Sequence, residues 1–481
     1  MPNAIQQTRT RIVATLGPAS WEPETLGRLI DAGVDVFRIN CSHSDAATIR
    51  MQVARVRRAA YDRRVPIAIL LDLQGPKIRT SKVAAPLELR AGDLLTVVMD
   101  EDVIGRDHRV GTTYPEMAND VHLGDRVLFA DGALSGTVAA VRTDKTPAEV
   151  DIRIRDGGML GSNKGINLPG VRMSVPSLTE KDLADVDLGV EVGVDYVALS
   201  FVRRAQDILG LREHLRTRGA QVPIIAKIEK PEALDHLDDI LDVTDGVMVA
   251  RGDLGVEVPL ETVPVHQKRI IAAAAARGRI VITATQMLDS MERNPRPTRA
   301  ETTDVANAIL DGTDAVMLSG ETSVGSYPIE AVRVMDAIAR SAEQSAFFQG
   351  PSLERLPVMD GPQGAACRAA CFAVAGTDTP LVVFTWSGDT AIYVSKARPL
   401  GPIFALSPLQ PVVDRLALAW GVLPYLIPVA KSMEDLIDAG ERILLQEGVV
   451  RPGQTLVVLG GNAPEHGATS FVKFHVVRQP A

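Results

Sequence analysis

The sequence predicts an α/β chain: a closed (β/α)8 TIM barrel, a small β-barrel domain inserted in it, and an open α/β domain after it. Three observations carry this. Short apolar, β-branched runs alternate with helix-length amphipathic stretches until eight such runs have passed, the count of a closed parallel barrel. The interval between positions 72 and 177 breaks the alternation with short runs of strand character instead. After about position 345 a linker-like stretch leads into a second, separate βα pattern.

The eight runs lie at 11–15, 35–39, 67–72, 195–200, 223–228, 246–250, 279–284 and 315–319. Inside the long interval, 87–98, 126–129, 134–141 and 150–155 alternate at period two or form short apolar runs. Turns at Ala91-Gly92-Asp93, Ala130-Asp131-Gly132 and Asp156-Gly157-Gly158 separate them. The barrel resumes at Ser177-Leu-Thr-Glu180, which reads as a capping box opening a helix that runs through Val192. The stretch 329–339 is an aliphatic helix that fits either a core or an interface. Positions 350–364 are rich in Pro and Gly, and beyond them a helix near 365–375 and strands at 381–385, 402–405 and 455–459 form the last unit. The expected division is 1–79 with 176–345 for the catalytic barrel, 80–175 for the insert, and 346–481 for the final domain, a candidate for regulation.

The chain has 481 residues, 46% of them hydrophobic and only 4% aromatic, so several cores form and they are mainly aliphatic. The net charge is −9 with no long Lys/Arg run, which argues against a nucleic-acid partner. Met1 to Ser20 holds no apolar segment with a small-residue cleavage site, and no run reaches the length of a membrane span. Cys41, Cys367 and Cys371 make no disulfide framework; the last two, four apart, read as buried thiols on one helix face. The expectation is a cytoplasmic enzyme without a membrane partner.

In βα barrels the chemistry sits at the C-terminal ends of the strands. Six of the eight runs place ionisable or hydroxylic groups there. The second runs into Arg38-Ile-Asn40-Cys-Ser42-His43, and the third ends at Asp72 and continues Leu73-Gln-Gly-Pro-Lys77-Ile-Arg79. The fifth ends Lys227-Ile-Glu229, the sixth leads into Arg251-Gly252-Asp253, the seventh into Thr285-Gln286, and the eighth into Ser319-Gly320-Glu321. Lys227 and Glu229 flank an apolar residue, so both face the barrel interior. Glu229 and Asp253 on neighbouring strands offer the paired carboxylates of a Mg²⁺ site, Gly252 lets backbone N–H groups approach an anion, and Lys227 with Arg38 supplies the positive charge a phosphoryl transfer needs. Taken singly, each feature has a plainer reading: Lys-x-Glu as a solvated strand pair, Gly-Asp as a turn, Arg38 as a rim salt bridge, Glu321 as a helix cap. Their convergence on one rim favours the site.

The residues also carry a family resemblance. Arg11-Ile-Val-Ala-Thr-Leu-Gly-Pro-Ala-Ser20 and Arg38-Ile-Asn-Cys-Ser-His43 resemble the opening signatures of pyruvate kinases, with Cys41 where Phe is common. Ile225-Ala-Lys-Ile-Glu229, Val247-Met-Val-Ala-Arg-Gly-Asp-Leu-Gly255, Thr285-Gln-Met-Leu288, Pro295-Arg-Pro-Thr-Arg-Ala-Glu301 and Asp311-Gly-Thr-Asp-Ala-Val-Met-Leu-Ser-Gly-Glu321 complete the set, which spans about Arg9 to Pro328. The resemblance implies transfer of the phosphoryl group of phosphoenolpyruvate to ADP, giving pyruvate and ATP, with Mg²⁺ (or Mn²⁺) and a homotetrameric assembly. It implies that Lys227 neutralises the phosphoryl group in flight, that Glu229 and Asp253 hold Mg²⁺, and that Arg38, Gly252, Asp253, Ser319 and Glu321 line the phosphoenolpyruvate site. Thr285 falls on the carboxylate side of the substrate and in the relay that protonates the enolate. Pro18, Asn40, Ser42, His43, Arg79 and Lys164 match nucleotide-side positions, and the insert matches a lid.

Two departures shape the reading. Many family members bind K⁺ through matches of Asn40, Ser42, Asp72 and a Thr at the next position, where this chain has Leu73, and they carry Glu where it has Lys77. Leu73 supplies no side-chain oxygen, and an ammonium at position 77 replaces the cation's charge, so a K⁺-independent enzyme is expected. The competing reading is a solvated Lys77 with a backbone oxygen still serving K⁺. In the last domain, Thr385-Trp-Ser387-Gly388-Asp-Thr390 resembles a loop that holds a sugar phosphate in regulated members. Asp389 brings negative charge into it, and the chain from Gly460 to Thr469 lacks a clear basic residue, so a sugar-phosphate or nucleotide effector and a plain helix cap both remain open. Two other functions explain less: a Mg²⁺-dependent barrel lyase or aldolase leaves the insert and nucleotide-side residues unexplained, and a catalytically idle sugar-phosphate sensor leaves Lys227, Glu229, Asp253 and Thr285 unexplained.

Overall fold

The structure is a computed structural model that describes residues 8–348, 356–430, 432–461 and 469–479. Eight parallel strands close into a barrel: Arg11–Thr15, Val36–Asn40, Ala68–Asp72, Tyr196–Leu199, Ile224–Ile228, Gly246–Ala250, Ile280–Ala284 and Ala315–Leu318. Each lies within a residue of its expected ends. They are apolar along their length because both faces are covered. One set of side chains packs outward against the helices, including Ile12, Phe37, Ile69, Val197 and Val247. The alternate set, including Val13, Leu70, Ile225, Met248 and Ile282, fills the interior. The helix after the eighth strand, Pro328–Glu343, buries Ile329, Val332, Met335 and Ile338. Its aliphatic face therefore belongs to the core.

The insert expected as a small β-barrel is a six-stranded sheet with a two-stranded ribbon, Leu87–Leu89 with Gly158–Leu160, beside it. The run 87–98 is not one strand. It breaks at Gly92, whose φ of 94° turns the chain, and Leu94–Val98 joins the larger sheet while Leu87–Leu89 joins the ribbon. Leu95, Val97, Phe129, Val150 and Ile152 form a core separate from that of the barrel. The capping box also shifts. The helix Glu180–Val192 is capped by Thr179 with Asp182, while Ser177 donates its hydroxyl to the Phe201 carbonyl. Asp182 is fully buried and its other oxygen accepts the Gly75 N–H at 3.0 Å, so tertiary contact selects the later of two adequate capping sequences.

The C-terminal part is a five-stranded sheet, and two of its strands were not expected: Val422–Leu426 and Thr469–Val476. Both are edge strands, the first interrupted by Pro424 and the second half-exposed, so neither shows a clean apolar run. The unit docks on the floor of the barrel. Leu418 and Ala417 enter the interior cluster from below. Lys396 (2.5 Å) and Arg398 (3.0 Å) pair with Asp314, just before the eighth strand, and Tyr196 donates to the Arg415 carbonyl at 3.0 Å. The rim at the other end is left open for chemistry. All three cysteines are free and buried.

Candidate active site

The fifth strand carries Ile225 into the barrel interior, and its period of two brings Lys227 and then Glu229 up the same face. Lys227 is 9% exposed and Glu229 1%. The Lys227 ammonium lies 2.9 Å from Glu229 Oε1 and 3.2 Å from Asp72 Oδ1, and donates to Ser200 Oγ at 2.7 Å. Arg38, from the second strand, donates to Asp72 Oδ2 at 2.6 Å and to Thr15 Oγ1 at 3.1 Å. Five neighbouring strands thus meet here, three of them bringing two cations and two carboxylates into one buried cluster.

The electrostatics follow from that arrangement. Burial works against the charges of both Lys227 and Asp72, yet the partners outweigh it. Asp72 and Glu229 hold Lys227 above its ordinary value, and Arg38 and Lys227 hold Asp72 below the usual carboxylate range. Glu229 goes the other way: burial pushes it up, Lys227 pulls it down, and the charge of Asp253 adds to the upward push. Glu229 and Asp253 are hard oxygen donors, and a divalent cation between them would relieve the push that the Asp253 charge puts on Glu229.

Asp253 stands in the first turn of the helix Arg251–Glu257, directly after the sixth strand. Gly252, beside it, does not offer its N–H outward; it donates to Thr285 Oγ1 at 2.7 Å. Thr285 in turn donates to the Ala284 carbonyl at 2.7 Å and has φ 67°, a left-handed conformation that β-branched residues avoid, followed by Gln286 at φ 53°. Ser319 and Glu321 serve the rim from behind. The Glu321 carboxylate, pushed up by burial, accepts the N–H groups of Ser319 (2.7 Å) and Leu288 (3.0 Å), tying the loops after the seventh and eighth strands together.

On the side facing the insert, a cleft is lined by Pro76, Lys77, Asp131, Asn167, Lys230 and Asp253 among others. His43 is held below its ordinary value by burial and by the positive charges of Arg79, Lys77 and Arg38. Asn40 Oδ1 accepts the Ser42 N–H at 3.0 Å and so shapes its own loop. Arg79 donates to the Asn163 carbonyl at 3.2 Å, while the Lys164 carbonyl accepts the Thr80 N–H and the Lys164 N–H donates to Thr80 Oγ1, so both sit where the chain passes into the insert. Pro18 is exposed on the loop after the first strand. Leu73 is buried in the outer core, and only its carbonyl reaches the rim, where Ser200 donates to it at 2.7 Å.

Away from the rim, the hydroxyls of the C-terminal loop bond within the protein. Thr385 accepts the Gly388 N–H, Ser387 donates to Asp389, and Thr390 pairs with Thr469 at 3.0 Å. The helix Asp389–Ser395 that follows has Gly388 at its N-cap and no side-chain cap bond there, so these bonds fit neither a plain helix cap nor an effector loop in particular. The stretch from Gly460 to Thr469 falls largely outside the described residues.

Sequence reasoning missed several participants. Ser200 ends the fourth strand, so the strand-end rule that found Lys227 applied to it too. Arg251 lay inside a recognised motif without a role. Asn167 of the insert donates to Glu257 Oε1 at 3.2 Å, and Lys230 donates to the same oxygen at 2.6 Å. That contact across the cleft joins positions 90 residues apart in sequence, and no local pattern announces it.

The chain has known counterparts along nearly its whole length. The family described as pyruvate kinase, barrel domain, matches residues 7–332, and the pyruvate kinase alpha/beta domain matches residues 365–475. A curated relative from Geobacillus stearothermophilus named pyruvate kinase is 44% identical over 478 residues, covering 98% of this chain and 80% of that one. Pyruvate kinase 2 of Synechocystis sp. is 43% identical over 474 residues, covering 98% and 79%. A crystal structure of a pyruvate kinase from Cryptosporidium parvum superposes with a TM-score of 0.90 at 33% identity, covering 98% of this chain and 96% of that one. The cation-carboxylate rim, the insert after the third strand and these matches along nearly the whole length place the chain in the pyruvate kinase family.

Proposed function

We propose that the Lys227–Arg38–Glu229–Asp253 rim is where the phosphoryl group passes from phosphoenolpyruvate to ADP, with Mg²⁺ (or Mn²⁺) as cofactor and without a requirement for K⁺. The transfer itself, giving pyruvate and ATP, and a need for a divalent metal follow from family membership. The observation that carries the assignment is the buried Lys227, ion-paired at 2.9 and 3.2 Å and set beside Arg38. A fixed ammonium in a site screened from water stabilises charge that moves during transfer far better than a solvated one.

Glu229 and Asp253 are the residues that would hold the metal, which supplies neutralisation of phosphoryl and enolate oxygens when bound. Lys227 and Arg38 hold the phosphoryl group, Thr285 presents its hydroxyl on the enolate side, and Ser319 and Glu321 keep the loops beneath in register. Asn40, Ser42, His43, Arg79 and Lys164, with Pro18, form the nucleotide side. The insert, residues 80–175, acts as a lid that excludes water, so the phosphoryl group reaches ADP and not solvent. The remaining division is 1–79 with 176–345 and 346–481, and we place the enzyme in glycolysis, in the cytoplasm, as a homotetramer.

K⁺ independence rests on Lys77, which lines the cleft with Asp253 and depresses His43 by its charge, and on the burial of the Leu73 side chain. The test is pyruvate formation from phosphoenolpyruvate and ADP, with and without Mg²⁺, in Na⁺ buffer with and without K⁺. Turnover that needs Mg²⁺ and ignores K⁺ supports the whole reading. Turnover only with K⁺ removes the Lys77 role, and none in any buffer from folded protein removes the assignment.

A further inference from the structure

Arg251 sits beside the site without touching the cleft, and its bonding pattern is unusual. Its guanidinium donates from Nε to the Ala284 carbonyl at 3.2 Å and from Nη2 to the Thr285 carbonyl at 2.8 Å. From Nη1 it donates to Asp304 Oδ1 at 2.7 Å and to Gln267 Oε1 at 3.3 Å. In a regular strand successive carbonyls point in opposite directions. Here two successive carbonyls face one planar fork, which the left-handed turn at Thr285, φ 67°, makes geometrically feasible. The neighbouring residue adds a second hold, because the Gly252 N–H donates to Thr285 Oγ1 at 2.7 Å. The Gly252 N–H and the backbone thus fix the Thr285 oxygen, and its proton, held here on the Ala284 carbonyl, leaves that acceptor only by rotation about the Cβ–Oγ bond. Asp304, on the helix Arg299–Asp311, anchors the guanidinium from outside.

We propose that Arg251 is the positioning residue for Thr285: it holds the strained turn that aims the Thr285 hydroxyl at the substrate during protonation of the enolate. In that step the enolate C3 forms a C–H bond with a proton delivered through the hydroxyl, and the relay is refilled from solvent. The inference rests on the reading of Thr285 above. A lysine cannot reproduce it, since a single ammonium cannot serve two carbonyls and Asp304 in one plane.

The experiment compares Arg251→Lys, Thr285→Ala and the double variant with the full-length wild-type chain. Steady-state turnover is measured together with exchange of the pyruvate methyl protons into D2O, with Mg²⁺ and ATP present. Arg251→Lys is expected to lower kcat and methyl exchange together by about 100-fold, the scale set by misplacing a reacting group by an ångström, with KM for phosphoenolpyruvate changed by less than about threefold. It is expected to add nothing on the Thr285→Ala background, because residues acting as one unit are not additive. If Thr285→Ala leaves exchange intact, the reading of Thr285 falls and the inference with it. If Thr285→Ala abolishes exchange while Arg251→Lys does not, or if the two losses add, the inference alone falls. Should the Arg251 variant fail to fold, Asp304→Asn loosens the same guanidinium from its half-exposed side and is expected to lower exchange in the same sense, by less; unchanged exchange in that folded variant also overturns the proposal.

Discussion

Lys227 is a buried ammonium that stays charged because two carboxylates lie within 3.2 Å of it. Lys227→Met leaves Asp72 and Glu229 facing one another through low-dielectric space. Turnover is expected to fall by about 1,000-fold, the upper end for loss of one transition-state charge partner. Stability is expected to drop by about 3–5 kcal/mol from the uncompensated carboxylates, so an unfolding curve must accompany the assay. At Lys77 the expected result is a change of ion dependence. Lys77→Glu puts a carboxylate where the ammonium stood, and turnover in Na⁺ buffer should fall and be restored by K⁺; a variant equally active in both would assign Lys77 to the solvated loop. The types of these residues were legible in the sequence, since strand-end position and period two placed Lys227, Glu229 and Asp253 on one rim. Their pairings were not, since Asp72, Ser200 and Lys227 come from three different strands.

The insert holds its sheet together with a compact ion network. Glu149 accepts from Lys145 (2.6 Å) and pairs with Arg142 (3.1 Å) and Arg109 (2.7 Å). Lys145 first, then the two arginines, hold its carboxyl down at about 2 from an ordinary 4.5, against the opposing push of burial. A carboxylate with a depressed folded pKa stabilises above its unfolded pKa and loses that contribution as pH falls toward the folded one. The insert should therefore loosen between about pH 4.5 and 2, read as cleavage within residues 80–175 by a protease active in acid, and Glu149→Gln should flatten that dependence. In the barrel, Thr179→Ala removes a cap worth about 1 kcal/mol, and it also frees Asp182 from the box that aims it at Gly75. Of the two overlapping capping patterns, 177–180 and 179–182, only the second also meets a backbone N–H elsewhere in the fold. A local pattern of that kind marks a helix start to within a turn but not its exact residue.

Across the whole molecule, the C-terminal unit closes the floor of the barrel while the insert sits at the rim. Asp314 is the pin of the lower contact, with two cations on one buried carboxylate. Asp314→Ala strands the buried charge of Lys396, and the loss is expected to be about 3–5 kcal/mol. In denaturant, the variant's C-terminal unit should melt before the barrel, whereas the wild type should lose both together; coincident transitions in the variant would remove Asp314 from that role.

By itself the sequence determined the eight barrel strands, the place of the insert and the residue types gathered at the rim. These depend on hydrophobic period, strand-end position and motif spacing, all of which are local. Tertiary structure alone decided that Gly252 spends its N–H on Thr285, that Arg251 braces the turn beyond it, and that Asn167 reaches Glu257 across the cleft. It also decided that Val422–Leu426 and Thr469–Val476 are edge strands. The physical reason is common to all of them: each is a hydrogen bond or burial between segments distant in the chain, and a polar group's partner is fixed by where the fold brings it, not by its neighbours in sequence.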